Sequence, residues 1–366
     1  MRSNEIKTQR IKWIDFMEVI AIYFVIFYHG MIYSIDILAP NTTTTSYFLY
    51  YLQTILSTCV PLFFFINGYL LFSKPFDLKK HVFKTIKLVV LAEIWGAITL
   101  LILTLINKNS VSINEFLHGL TTWKQGYINH LWFIGALVCI YIIFPLLKVT
   151  YDNHKKSFIY FVFVCGLMTF GNIFLNHLQT VINVFLLNKN VTQYGVNYFN
   201  IFNPFRGIYG YTFVYFCLGG IVHIYYNHIA NIPQTKKNII SILGIIINCL
   251  CIFSLGIIYS KVSGTMWDVV WNGYGSIFTL FNVIFLFLLS LNYQSDYSII
   301  SLISVNTLGI YFLHLFVIKI TRPFLLECRI TTNIFVNLVY TSFVLIVSLI
   351  VVLLIRKVPI INKLVK

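Results

Sequence analysis

The sequence predicts an all-α, polytopic membrane protein of about ten transmembrane helices with both termini in the cytoplasm. Hydrophobic residues make up 58% of its 366 residues, charged residues make up 10%, and its mean hydropathy is +0.83. A soluble domain of this length cannot bury so much apolar surface. Apolar segments of about 20 residues, the length that crosses about 30 Å of hydrocarbon, recur along the chain. They are continuous rather than alternating, which excludes transmembrane β-strands.

The apolar segments follow one another with short polar connections and without an internal repeat. The whole chain, 1–366, is therefore predicted to be a single integral membrane domain. Its basic N-terminus leads into a first segment that is too long and too charged for a cleaved signal peptide, so we expect a retained span. The ten predicted spans lie at 13–35, 47–72, 86–106, 130–148, 157–176, 208–226, 238–259, 270–291, 300–320 and 333–355.

The distribution of basic residues predicts the orientation of these helices. With a cytoplasmic N-terminus, eighteen of the 26 Lys and Arg residues fall in inner loops and eight in outer loops. Cytoplasmic loops are enriched in Lys and Arg, so this asymmetry favours an even number of spans with both termini inside. The net charge of +15 is spread over short loops. Orientation in membrane lipid explains it better than a nucleic-acid partner, which is not expected.

The first span carries three ionisable residues, Asp15, Glu18 and His29, in a segment otherwise suited to lipid. At 100° per residue, Glu18 and His29 differ by about 20° around the helix, and Asp15 and His29 by about 40°. Such groups are costly in a bilayer, so the stripe is predicted to face a wet cavity and to carry the chemistry. His29 lies in the outer half of the membrane, where it suits a general base that takes the proton from a hydroxyl. The alternative is a structural histidine that is hydrogen-bonded to a neighbouring helix. Asp15 and Glu18 lie near the cytoplasmic end of the span. The alternative to a functional role is that each is an interfacial charge paired with a lysine.

A basic stripe precedes the third span at the predicted inner surface. Lys80, Lys84 and Lys87 are four and three residues apart, so they share one helical face. Three cations in this position suit a phosphorylated ligand, although attraction to anionic lipid headgroups explains them as well. Asn67, near the cytoplasmic end of the second span, offers a hydrogen-bond donor and an acceptor beside them.

Other polar and aromatic residues are candidates for an acceptor site or cavity. His130 and Trp132 begin the fourth span, where a tryptophan is often an interfacial anchor. Arg206 lies in the loop before the sixth span, where an arginine is ordinarily solvated. Tyr311 and His314 lie in the ninth predicted span, and His314 is a second intramembrane imidazole. The seven cysteines lack metal-ligand spacing, and no bound metal is expected.

Together these segments resemble the acyltransferase-3 family of integral membrane O-acyltransferases, whose members have about this length and ten or so spans. The resemblance covers most of the chain, and the order of its motifs is more specific than any one of them. The four motifs run from Trp13 to His29, from Phe63 to Leu71, from Leu131 to Phe133 with Tyr141 and Pro145, and from Ile310 to His314.

The resemblance implies transfer of an acyl group, usually acetyl, from cytoplasmic acyl-CoA to a hydroxyl of an extracytoplasmic polysaccharide or glycolipid. His29 falls on the family's catalytic histidine, and Lys84 and Lys87 fall on a basic pair used near the CoA phosphates. Acyl-CoA is then a co-substrate, and no permanently bound cofactor is implied. Glu18, eleven residues before His29, stands where the family usually has Arg or Lys. A reversed charge there cannot bind an anion in the same way.

Two other functions fit an intramembrane His and Glu. A transporter or flippase for a glycan or lipid-linked sugar also needs such wet polar groups, but the sequence lacks the two related halves that would favour it. A non-catalytic membrane sensor module is made more plausible by Glu18. The high content of Ile, Asn, Lys and Phe is typical of a low-GC bacterium. We therefore expect a multi-pass protein of a bacterial cell membrane.

Overall fold

The computed structural model describes a protein whose regular secondary structure is entirely helical within the described residues. These are residues 10–31, 35–40, 42–107, 112–123, 128–186, 197–205, 207, 209–295, 297–327, 334–359 and 361–365. The helices are α1 (Lys12–Gly30), α2 (Thr44–Phe72), α3 (Leu78–Asn107), α4 (Ile113–Thr122), α5 (Trp132–Asn153), α6 (Lys155–Phe185), α7 (Gly210–Ala230), α8 (Gln234–Ser263), α9 (Ile277–Ser290), α10 (Ser298–Val305), α11 (Thr307–Glu327) and α12 (Ile334–Lys357).

Eight of these helices are long and apolar enough to cross a membrane: α1, α2, α3, α5, α6, α8, α11 and α12. Two more coincide with predicted spans. Helix α7 has 21 residues, and its tyrosines and histidines make it less apolar, but its first half is buried among the other helices. Helix α9 is apolar but has only 14 residues. The prediction of an all-α polytopic membrane protein is confirmed. The orientation stays a prediction, and "inner" and "outer" below refer to it.

The eighth predicted span, 270–291, is shorter than expected. Helix α9 begins only at Ile277, and residues 269–275 form turns. The Asp268 carboxylate accepts hydrogen bonds from the backbone N–H groups of Val270 (2.9 Å) and Trp271 (3.0 Å). Such side-chain bonds to nearby backbone groups compete with helix formation. The predicted helical start at residue 270 was therefore wrong.

The ninth predicted span, 300–320, is interrupted at Asn306. Its side chain donates to the Leu302 carbonyl (2.7 Å), and its backbone N–H bonds the Ile303 carbonyl (2.9 Å). These local bonds end α10 and separate it from α11. The spanning helix therefore begins at Thr307, and the short helix α10 packs against α1.

Helix α1 lies at the centre of the bundle, where it packs against α2, α9, α10, α11 and α12. Helices α2 and α7 approach each other especially closely. A Cβ atom at Gly68 would lie 1.8 Å from the Phe216 carbonyl oxygen, and one at Gly219 would lie 2.2 Å from the Phe65 carbonyl oxygen. Small residues permit such backbone approach between membrane helices. This contact fixes the half of α2 that contributes side chains to the site.

Candidate active site

A large cavity lies beside the outer end of α1 and has a volume of about 1230 Å³. Its walls come from α1, α2, α5, α7 and α11 and from the turn before α9. Asn129 and Trp271 are exposed, so this outer cavity opens to the protein surface. Two histidines, His29 and His130, line it together with many aromatic side chains: Tyr28, Phe63, Trp123, Trp132, Phe133, Tyr209, Trp271, Tyr274 and Tyr311.

Three imidazoles from distant parts of the sequence meet at the base of the outer cavity. The ring centroid of His314 lies 5.6 Å from that of His29 and 6.3 Å from that of His130. The Tyr311 ring lies 5.6 Å from the His130 ring, and the Tyr311 hydroxyl donates to the His130 carbonyl oxygen at 2.5 Å. The fold therefore brings together His29, His130, Tyr311 and His314, which the sequence singled out separately.

The His29 ring is half-buried in the wall of the outer cavity. Across the residues that the structure describes, its ring nitrogens form no hydrogen bond. A histidine in this situation has a nitrogen lone pair available to a ligand hydroxyl. The geometry therefore suits a base that acts on a molecule in the cavity.

Tyr28 connects the end of α1 to the turn before α9. Its hydroxyl donates to the Asp268 carboxylate at 2.5 Å, and the Tyr28 ring lies 5.2 Å from the His29 ring. The same carboxylate holds the turn through its bonds to Val270 and Trp271. Sequence analysis missed Asp268, although an acidic residue between two apolar segments is a signal in a chain with only 11 Asp and Glu residues.

A second, inner cavity of about 410 Å³ lies on the other side of the outer cavity wall. The two cavities share the side chains of Phe63, Phe133 and Tyr311. The inner cavity is lined by polar groups from α1, α2, α3, α5, α10 and α11: Glu18, Asn67, Lys84, Lys87, Tyr141, Ser304 and Thr307. Three aromatic rings thus form the partition between a cavity with a histidine and a cavity with lysines.

A family model of the acyltransferase-3 domain, described as an acyltransferase domain, matches residues 11–357. The chain belongs to the acyltransferase-3 family. The match spans nearly the whole chain, and the protein is a multi-pass membrane acyltransferase. No curated protein matches the chain, and no solved structure does.

The two carboxylates of α1 in this acyltransferase lie away from His29 and face α10. Asp15 accepts hydrogen bonds from Arg10 Nε (2.9 Å) and from the hydroxyls of Ser304 (2.8 Å) and Ser301 (3.1 Å). Arg10 and Asp15 also form an ion pair, so the partner of Asp15 is an arginine rather than the lysine considered from the sequence. The Ser304 hydroxyl, which has a single hydrogen to share, also contacts Glu18, and Glu18 lines the inner cavity. Glu18 and His29 therefore line different cavities, and Asp15 lines neither of them.

The predicted lysine stripe is divided by the fold. Lys84 and Lys87 line the inner cavity, and the Lys84 ammonium lies 5.4 Å from the centroid of the Tyr141 ring, as in a cation–π contact. Lys80 is outside the residues that line this cavity and is 3.6 Å from Asp77 at the exposed start of α3. Asn67 lines the cavity as well, where its side-chain oxygen accepts from the Tyr141 hydroxyl at 3.2 Å.

The remaining outer candidates of the acyltransferase have different positions. Trp132 lines the outer cavity and stacks on Tyr209, with ring centroids 4.7 Å apart. Arg206 lies outside the described residues. Glu93, a costly group within the predicted third span, accepts a hydrogen bond from the indole N–H of Trp123 at 3.1 Å. Trp123 is another wall residue that sequence analysis missed, because its loop position carries no periodic signal.

Proposed function

We propose that this acyltransferase moves an acyl group, acetyl in the usual case, from cytoplasmic acyl-CoA to a hydroxyl of a polysaccharide or glycolipid outside the cell membrane of a bacterium. His29 is the general base. The observation that carries the proposal is the pair of cavities that meet at Phe63, Phe133 and Tyr311. One cavity suits a phosphorylated donor, and the other suits a hydroxyl acceptor beside a base.

The donor side of the proposal rests on the inner cavity. Lys84 and Lys87 present two cations to it, and ammonium groups bind phosphates through charge-assisted hydrogen bonds. Lys80, exposed one turn before Lys84, lies outside the cavity lining and adds only long-range attraction for an anionic donor. With the phosphates near these lysines, the thioester end of acyl-CoA reaches the aromatic partition, where apolar rings suit an uncharged acyl chain.

The acceptor side rests on the aromatic lining of the outer cavity. Trp132 and Tyr209 stack at 4.7 Å, and Trp271 contacts Trp132 edge-on with ring centroids 5.4 Å apart. Aromatic side chains combine a large apolar face with a polar edge, so they suit sugar rings, which have apolar C–H faces and hydroxyl rims. The volume of about 1230 Å³ accommodates more than one sugar ring.

The chemistry is a single acyl transfer in which His29 handles the proton. The acceptor hydroxyl gives its proton to the free nitrogen of His29 while its oxygen forms a bond to the thioester carbonyl carbon. The C–S bond breaks, CoA leaves as the thiolate, and the proton on His29 passes to that sulfur. General-base catalysis of this kind contributes about 10²–10⁴-fold to a rate. Glu18 acts through the charge of the inner cavity, and Asp15 acts through its contact with Ser304 beside Glu18, rather than at the reacting atoms.

Replacing His29 by alanine tests this function most directly. We expect His29→Ala to lower acyl transfer at least about 100-fold, because the proton of the attacking hydroxyl loses its acceptor. The measurement is the transfer of label from acetyl-CoA to the glycan fraction of membrane vesicles, with protein level checked in parallel. His228→Ala is the matched control, since His228 is exposed near the inner end of α7. Unchanged transfer in His29→Ala contradicts the proposal. Glycan movement without consumption of acetyl-CoA indicates a flippase, and CoA binding without turnover indicates a sensor.

A further inference from the structure

His314 has an unusual hydrogen-bonding state directly behind the wall of the outer cavity. Its side chain is fully buried, with 0% exposure, and it is not among the residues that line the cavity. Its Nδ1 lies 2.6 Å from the Tyr311 carbonyl oxygen, which can only accept a hydrogen bond. Nδ1 therefore carries the hydrogen, and Nε2 of the neutral ring is an acceptor. Within the described residues this buried Nε2 has no hydrogen-bond partner.

A buried acceptor without a donor is destabilising, so we expect Nε2 of His314 to accept a hydrogen bond at some stage of the reaction. The His29 ring is a candidate donor, with its centroid 5.6 Å from that of His314 and the two planes inclined by 47°. A ring nitrogen lies about 1.1 Å from the ring centroid, so nitrogens that faced each other would be about 3.4 Å apart, near the limit of hydrogen-bond distance. The two nitrogens do not face each other in this arrangement, so a hydrogen bond between them requires a rotation of the half-buried His29 side chain.

Tyr311 holds His314 in the orientation that this contact needs. Its carbonyl oxygen accepts from His314 Nδ1, and its hydroxyl donates to the His130 carbonyl at 2.5 Å. One turn of α11 is thereby fixed to the segment before α5. Because the Nδ1 bond sets both the tautomer and the ring orientation of His314, the acceptor nitrogen stays available on the opposite side of the ring.

We propose that His314 is a positioning residue for His29, an inference that rests on the proposed role of His29 as general base. Nε2 of His314 accepts the N–H of His29 as the acceptor hydroxyl binds. This contact keeps the other nitrogen of His29 unprotonated and directed at the outer cavity. A carboxylate performs the same task in hydrolytic triads. An imidazole does it here without placing a negative charge among membrane helices, where such a charge is costly.

The variants His314→Asn and His314→Gln separate this role from packing. Asn places its amide near the position of Nδ1, so it keeps a donor for the Tyr311 carbonyl but has nothing at the position of Nε2. Gln places its amide near Nε2 and retains an acceptor for His29. With acetyl-CoA and membrane vesicles, we expect His314→Asn to lower kcat about 10–100-fold without changing KM for acetyl-CoA. We expect His314→Gln to recover at least a fivefold higher kcat than His314→Asn.

His177→Phe is the control, because His177 is another histidine with a buried ring nitrogen but lies away from the outer cavity. Its Nε2 is buried without a partner within the described residues, and its Nδ1 lies 3.0 Å from the Tyr259 hydroxyl. It lines an apolar pocket of about 410 Å³ between α6 and α8 rather than the outer cavity. We expect His177→Phe to keep kcat within about twofold of the wild-type value.

A double variant distinguishes failure of this inference from failure of the proposed function. If His314 acts through His29, then adding His314→Asn to His29→Ala causes no further loss, because the group that it orients is absent. The positioning role is overturned if His314→Asn causes the same loss in the wild-type protein and in His29→Ala. It is also overturned if His314→Asn and His314→Gln have equal kcat, or if only KM changes. An active His29→Ala protein overturns the proposed function itself. An inactive His29→Ala with a fully active His314→Asn overturns only the inference.

Discussion

The outer and inner cavities of this acyltransferase share a wall but differ in the charge of their linings. The outer cavity is lined by aromatic rings and by the imidazoles of His29 and His130. Among the residues described for its walls there is no lysine, arginine or carboxylate. The inner cavity carries Glu18, Lys84 and Lys87 beside several hydroxyl groups. One membrane bundle thus keeps fixed charges on one side of an aromatic partition and neutral rings on the other.

This difference shows how α1 can serve both cavities. Glu18 and His29 are on nearly the same face of the helix, but they are about 16 Å apart along its axis at 1.5 Å per residue. Charged groups are therefore concentrated at the inner cavity, where we propose that the charged co-substrate binds. The proposed proton transfer takes place among neutral groups, which cost less within a membrane than fixed charges do. Changes in the inner cavity are then expected to alter use of the donor, and changes around the outer cavity to alter use of the acceptor.

After His29→Ala, the largest of the expected effects concerns the inner cavity. Replacing both Lys84 and Lys87 by glutamine removes two cations from its lining. We expect KM for acetyl-CoA to rise about 10–100-fold with a much smaller change in kcat, because each charge-assisted bond to a phosphate is lost in the ground state as well as in the transition state. Initial rates over a range of acetyl-CoA concentrations measure this.

Lys80→Gln is the control for the lysine pair, because Lys80 belongs to the same predicted stripe but lies outside the cavity lining, next to Asp77. We expect less than about a threefold change in KM, as is typical for an exposed ion pair. Equal effects of Lys80→Gln and the double variant would show that the lysines act through the membrane surface rather than through the cavity.

A smaller effect is expected from Asp268→Ala at the edge of the outer cavity. This change removes the bonds from the carboxylate to the Tyr28 hydroxyl and to two backbone N–H groups of the turn that carries Trp271. We expect the transfer rate at saturating acetyl-CoA to fall about tenfold, since loosening a positioning contact costs this much or more. KM for acetyl-CoA should not change. Label incorporated into the glycan fraction provides the measurement.

Asp36→Ala is the matched control, because Asp36 is another exposed aspartate whose carboxylate caps a turn, through the backbone N–H of Leu38 at 2.8 Å. We expect it to keep the wild-type transfer rate. Tyr28→Phe removes one of the three bonds of Asp268 and should give an intermediate loss. A rise in KM for acetyl-CoA in Asp268→Ala would show that the outer cavity also affects binding of the donor.

Asp268 also shows which features the sequence could predict. Composition and hydropathy predicted the helical segments, because a chain this apolar must place them in lipid. They did not predict the turn at Asp268 or the break at Asn306. Hydropathy averaged over about twenty residues is insensitive to the few side-chain bonds to the backbone that cause these breaks. These two local breaks shape the rim of the outer cavity and the contact of α10 with α1.

For the site, helical periodicity correctly placed Asp15, Glu18 and His29 on one stripe. It could not show that Glu18 and His29 line different cavities while Asp15 lines neither, because that depends on how neighbouring helices pack. The meeting of His29 with His314 joins residues from opposite ends of the chain at 5.6 Å, and only the tertiary structure brings them together. The family resemblance supplied the order of the motifs but not these distances.

The smallest expected effect concerns Glu18, the acidic residue that stands where the family resemblance leads one to expect Arg or Lys. Its carboxylate accepts from Ser304 and faces the cavity that holds Lys84 and Lys87. A carboxylate in that position opposes an anionic donor and offsets part of the attraction of the lysines. We therefore expect Glu18→Gln to lower KM for acetyl-CoA about threefold to tenfold while kcat stays within twofold.

Glutamine keeps an oxygen that can accept from Ser304, so Glu18→Gln changes the charge of the inner cavity while preserving its packing. Glu115→Gln, a change of the same kind on the exposed helix α4, is the control and should leave KM unaltered. A loss of kcat in Glu18→Gln would mean that the carboxylate takes part in the acyl transfer itself. In that case the inner cavity would contribute to the chemistry as well as to donor binding, and the separation of charged and neutral cavities would no longer describe how this enzyme works.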